Sequence, residues 1–99
     1  MITVYKYPIC SANFGDSVNT IEVPVRSNFL KLAQQGDQIC AWYFVDSECK
    51  ETKQETWLQF GTGHEMGEEF FDFEYIDSVI NGLFGLVWHM FRKIDLKND

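Results

Sequence analysis

The run Gln38–Asp46, QICAWYFVD, limits the fold more than any other stretch of this chain. Ile39, Ala41, Tyr43 and Val45 alternate with Cys40, Trp42 and Phe44, so a strand through the run is apolar on both faces. Such a strand belongs at the centre of a sheet, with neighbours along both edges and cover expected over both faces. The rest of the chain must supply those neighbours.

The same period of two recurs along the sequence. Ile2–Tyr7 (ITVYKY) is rich in β-branched and aromatic residues and is expected to stop at Pro8, which has no N–H for a ladder. After the turn-forming SANFGDSVN, the segment TIEVPV alternates Ile21, Val23 and Val25 with polar or proline positions, and Pro24 directs it to a sheet edge. NFLKLAQQ leads through Gly36-Asp37 into the central strand as a hairpin. SECKETKQ reads as a charged loop, followed by a strand ETWLQF. In the last third, Asn81-Gly82 is a short hairpin signal and Gly85 would weaken a helix interior by about 1 kcal/mol, which favours two strands, FEYIDSVI and LVWHMFRKI. The expected fold is mainly β: one small antiparallel domain over residues 1–99, a sandwich or partly open barrel of about six to seven strands. The alternative is an α+β fold with a helix over residues 76–91.

With 99 residues there is room for one hydrophobic core. The 45% of hydrophobic residues and 16% of aromatic ones exceed what a disordered chain carries, so that core is expected to form. Cys10, Cys40 and Cys49 lack paired zinc-ligand spacing and read as reduced thiols, Cys40 in the core and the other two in loops. The N-terminus has no basic segment ahead of a long apolar core, and no apolar run reaches the roughly 18–20 residues of a membrane span, so a soluble, unexported protein is expected.

Charge is unevenly spread. The net charge is −7, yet residues 46–77 hold ten acids and two lysines, a net of −8, leaving +1 for the remainder. A field of that kind repels nucleic acid and anionic membrane from the middle third and attracts cationic partners. Direct nucleic-acid binding is therefore not expected, whereas imitation of nucleic acid is compatible with it.

Three glycines, a histidine and three glutamates meet in Phe60–Glu69, FGTGHEMGEE. Glycines allow close approach of backbone N–H groups to an anion, but Gly67 is followed by Glu68 and Glu69, without the lysine and hydroxyl of a Walker loop or the helix of a dinucleotide fingerprint. His64 with Glu65, Glu68, Glu69 and Asp72 offers one imidazole and several carboxylates, and only His89 could add a second nitrogen; a solvated acidic loop explains them better than a metal site. No nucleophile stands in a recognisable catalytic setting, so neither an enzyme nor a cofactor is expected. The aromatic residues are mostly core by pattern, although a base could stack among them with Lys6, Arg26, Lys31 or Arg92 on its phosphates.

VYKYPI near the start, FGTGHEM in the middle and GLVWHMF near the end, taken together, resemble a family of short bacteriophage proteins that open with a Tyr-Lys-Tyr-Pro strand and later carry Gly-x-Gly-His and Val-Trp-His. Tyr5, Lys6, Tyr7, Pro8, Gly61, Gly63, His64, Val87, Trp88 and His89 carry the resemblance. It implies phage origin, expression in the host cytoplasm and a compact β-rich fold, and no particular activity. On that basis the first expectation is a counter-defence protein that sequesters a small anionic, nucleotide-like signal, in a pocket at a homo-oligomer interface. Its ligand residues would be Gly61, Thr62, Gly63, His64, Trp88, His89, Lys6, Tyr7 and Arg26. The second is an acidic, nucleic-acid-mimicking inhibitor of a host DNA-handling or defence enzyme, binding its protein partner through Glu65, Glu68, Glu69 and Asp72. The third is a minor virion or assembly factor.

Overall fold

Period-two patterning becomes seven strands in the structure, a computed structural model that describes residues 1–94. They are β1 (Ile2–Ser11), β2 (Ser17–Pro24), β3 (Ser27–Gln35), β4 (Gln38–Asp46), β5 (Thr52–Gly61), β6 (Phe73–Asn81) and β7 (Leu86–Lys93), with one short 3-10 turn at Glu68–Asp72. The first sheet has the order β1-β4-β3 and the second β2-β5-β7-β6, and every neighbouring pair is antiparallel. The protein is thus mainly β, two antiparallel sheets packed face to face. The helix over residues 76–91 does not form: that stretch is the β6–β7 hairpin, because its apolar side chains follow the period of a strand.

The inner faces make one core. Ile39, Ala41, Tyr43 and Val45 of β4 meet Val23 of β2, Trp57 of β5, Val79 of β6 and Trp88 and Met90 of β7. Trp57 and Met90 are 0% exposed, and burying each such side chain contributes about 1.5–3 kcal/mol. Two amides are also buried, and they tie the end of β1 and the loop after it to the core. Gln59 donates to the Ser11 carbonyl at 2.7 Å; Asn81 and the Trp88 indole both donate to the Ala12 carbonyl, at 2.7 and 2.8 Å.

Four local expectations change. β1 continues through Pro8 to Ser11, since β1 is an edge strand and the missing N–H of proline costs nothing on an open side; a bulge falls between Pro8 and Cys10. Cys10 is consequently a half-buried strand residue rather than a loop residue. β5 starts at Thr52, so only five residues of the expected charged loop are loop. Finally, β4 is central but fully covered on one face alone: on the outside of the three-stranded sheet Cys40 is buried as expected, yet Trp42 is only half-buried and Phe44 is 45% exposed. Pro24 does end an edge strand, β2, as its chemistry requires.

β5 and β6 run parallel with β7 between them, so the connection 62–72 must travel the length of the sheet. It leaves beside Trp88, the partner of Gly61, and arrives beside Lys93, the partner of Phe73. The inner face is occupied by the core, so the connection lies over the outer face. Leu58, which points outward, is buried there.

Candidate functional site

The Gly-x-Gly-His segment is the start of this crossover. The Gly61 N–H donates to Asp16 Oδ1 at 2.9 Å, and the Gly61 carbonyl accepts from the His64 N–H at 3.3 Å. Gly63 adopts φ +82°, a left-handed conformation that costs a residue with a Cβ about 1–2 kcal/mol. The turn it makes folds the His64 ring back onto Gly61, where a Cβ would stand 2.6 Å from His64 Cε1. One glycine supplies a backbone conformation and the other supplies space.

His64 Nδ1 lies 2.9 and 2.8 Å from the two oxygens of Asp16. A carboxylate only accepts, so Nδ1 carries the hydrogen and donates. The loop between β1 and β2 is thereby clasped to the crossover. His89 sits on the same outer face: it opposes Phe60 across the ladder, and Phe60 packs edge-on to His64 with ring centroids 6.1 Å apart. Its Nε2 meets Thr62 Oγ1 at 2.7 Å and its Nδ1 meets Ser78 Oγ at 3.0 Å, which in turn meets the Tyr75 hydroxyl at 2.8 Å. Both ring nitrogens are occupied. His64 and His89 are thus neighbours of one aromatic residue but hold different partners, and among the described residues no cluster of three or more His, Cys, Asp or Glu is placed to hold a metal ion. An Asp–His pair can orient an imidazole for proton transfer, but among the described residues no hydroxyl or thiol is hydrogen-bonded to the second nitrogen of His64.

The other residues expected to join this segment are elsewhere. Trp88 points to the opposite face from His89, as consecutive strand residues must, and is a core residue at 4% exposure. Lys6 is on the outside of the first sheet, opposite Trp42, and donates to Gln35. Tyr7 faces inward and packs edge-on against Tyr43. Arg26 lies past Pro24, at the far end of β2 from the Gly-His turn, paired with Asp46 at 3.4 Å. Asp46 is held below the usual carboxylate range first by the Glu48 N–H, then by the chain N-terminus and Arg26. Gly61, Thr62, Gly63, His64 and His89 form one cluster; Lys6, Tyr7, Arg26 and Trp88 do not enter it.

Further along the crossover the acidic residues are set beside apolar ones. Glu65, Glu68, Glu69 and Asp72 are all exposed. Between them, Met66, Phe70, Phe71, Phe73 and Phe91 line a groove of about 280 Å³. Phe71 is 85% exposed and Met66 40%. Phe70 and Phe73 stack edge-on at 5.4 Å and give the groove a fixed wall.

A second hollow, about 420 Å³, opens between the sheets at the end away from the Gly-His turn. There the inner stripe of β5, read backwards from Trp57, becomes Glu55 and Lys53, and Arg92 of β7 lies opposite Trp57. The Arg92 guanidinium is 5.4 Å from the Phe29 ring and 5.7 Å from the Trp57 ring, with Glu55 at 3.4 Å and Glu74 at 3.3 Å. Tyr43 donates to Glu55 Oε1 at 2.8 Å; burial, and then this bond, push its hydroxyl pKa upward. Sequence reasoning missed this cluster because it started β5 too late. The available signal was the alternation Lys53, Glu55, Trp57, Gln59, which places charges on a core-facing stripe.

A protein-family model described as "Domain of unknown function (DUF7352)" matches residues 1–99. No curated protein and no solved structure matches the chain.

Proposed function

The chain belongs to the DUF7352 family, and we propose that it is a phage accessory protein that works by binding a basic protein partner, a host DNA-handling or defence enzyme whose nucleic-acid surface it occupies. The observation that carries this reading is the crossover: an apolar groove with a protruding Phe71 and Glu68 in its lining, on a connection that also exposes Glu65, Glu69 and Asp72. Exposed apolar patches bordered by charge are a common form of interaction site. The aromatic anchors supply affinity on desolvation, and the carboxylates select and steer a cationic partner. Of the nine residues expected to bind a small ligand, Lys6, Tyr7, Arg26 and Trp88 lie apart from the Gly-x-Gly-His turn, so no cation or free aromatic face of that set meets it, whereas the four expected to bind a protein all lie exposed on one connection.

The test begins with partners captured by the tagged protein from host lysate, followed by competition of the identified partner with DNA. We expect the protein and DNA to exclude one another. The quadruple variant Glu65→Gln, Glu68→Gln, Glu69→Gln, Asp72→Asn should bind at least tenfold more weakly, about 1.4 kcal/mol, as should Phe71→Ser alone. Wild-type binding should weaken with salt as the screening length falls to about 8 Å and below. A partner that holds DNA and this protein together, or that binds the quadruple variant equally well, overturns the reading.

A further inference from the structure

The hollow at the open end of the sandwich lies on the inner side of the β6–β7 ladder, across from the crossover groove whose Phe73 pairs with Lys93, and plays no part in the protein-binding reading. Its lining combines three kinds of group. Lys53 and Lys93 lie at its mouth, and the ion pairs among the described residues engage neither. Ser27 lines it as well, with a hydroxyl that no other protein group engages among the described residues. Glu55 and Glu74 are each held by Arg92 through Oε1 alone, so the second oxygen of each is left to accept. Arg92 itself lines the hollow with its planar guanidinium backed by Phe29 and Trp57.

These groups match the parts of one ligand class. An anionic group such as a phosphate is held by two ammonium groups and a hydroxyl. A flat heterocycle stacks on a guanidinium plane whose other side is already supported. Carboxylate oxygens accept from adjacent N–H donors, which guanine presents as N1–H and the exocyclic amine, while adenine presents only its amine. The volume of about 420 Å³ falls within the usual range for small-molecule sites, about 300–1,000 Å³. We propose that this hollow is a binding site for a guanine-type nucleotide, phosphate toward Lys53, Lys93 and Ser27, base on Arg92, donor edge toward Glu55 and Glu74. It moves the nucleotide-like ligand expected from the sequence to a different part of the molecule from the Gly-x-Gly-His turn.

The test is a ¹⁵N NMR titration of the full chain with GMP, AMP and inorganic phosphate at matched ionic strength. GMP is expected to shift the amides of Ser27, Lys53, Glu55, Arg92 and Lys93 in a saturable way, with a dissociation constant at least tenfold below those of AMP and phosphate. Lys53→Gln combined with Lys93→Gln should weaken GMP at least tenfold; both residues are exposed, and the spectrum itself reports whether the variant is folded. The crossover variant Phe71→Ser should bind GMP unchanged, which separates this site from the protein-binding one. Equal responses to GMP and AMP, equal responses to GMP and phosphate, an unchanged constant in the lysine variant, or no saturable shift at millimolar GMP would each overturn the proposal.

Discussion

A methyl group on Gly61 would stand 2.6 Å from Cε1 and 2.8 Å from Nδ1 of His64, and the ring can move aside only by releasing Asp16. The cost of Gly61→Ala is therefore the cost of that clasp, about 1 kcal/mol for hydrogen bonds at an exposed site. It should appear in urea unfolding of Gly61→Ala and largely vanish when the same change is made in His64→Ala, a coupling that a double-mutant cycle measures. An equal loss in both backgrounds would refute the steric explanation. Gly63→Ala should lose about 1 kcal/mol in either background, because its cost lies in the backbone at φ +82°. The sequence marks all four residues of Gly-Thr-Gly-His as unusual. It does not reveal that Asp16, 48 positions from His64, is the partner that explains them.

At the scale of the element, β6 and β7 illustrate how far a local signal reaches. Asn81-Gly82 points to a two-residue turn, which would put Gly82 at positive φ. The hairpin instead closes through Gly82–Gly85, and it is Gly85 that takes φ +67°. Asn81 is withdrawn from the turn because its side chain is buried against Ala12 and Asn13. Gly85→Ala should consequently destabilise by about 1 kcal/mol, and Gly82→Ala, with open space around it, should stay within about 0.5 kcal/mol of wild type in thermal or urea unfolding. The reverse order would show that the two-residue turn forms after all. β2, β4 and β5 were readable from alternation, since a one-residue error would exchange core and solvent faces, whereas β1 was read from β-branched and aromatic content and β6 and β7 from Asn81-Gly82 and Gly85. Their ends were less so: Pro8 is tolerated inside β1 only because that strand is an edge, and Lys53 belongs to β5 only because the sheets part above it.

Across the whole molecule, about 40 × 34 × 15 Å between Cα atoms, the half-buried Cys10 thiol and the buried Tyr43 hydroxyl link stability to alkaline pH. Burial raises the Cys10 thiol from 9.0 to about 12, and burial with the Glu55 bond raises the Tyr43 hydroxyl above its ordinary 10.0. Folded, both keep their protons where the unfolded chain has lost them. Their stabilisation is complete below about pH 8 and is lost progressively as pH rises, from 9.0 toward about 12 for Cys10 and from 10.0 upward for Tyr43, by up to about 1.4 kcal/mol per pH unit for each group. Urea midpoints between pH 8 and 10.5 should fall accordingly, and the first part of the fall should be absent in Cys10→Ala; a flat profile would count against both shifts. The sequence by itself determined that this chain makes an antiparallel β domain around QICAWYFVD and that its acids gather in the middle third, because side-chain period and charge are local properties. The tertiary structure decided which residues share a site. Trp88 went to the core and His89 to the surface by the parity of one strand, Asp16 reached His64 through a loop, and Lys53, Glu55, Arg92 and Ser27 met where two sheets diverge, a juxtaposition set by sheet order and register.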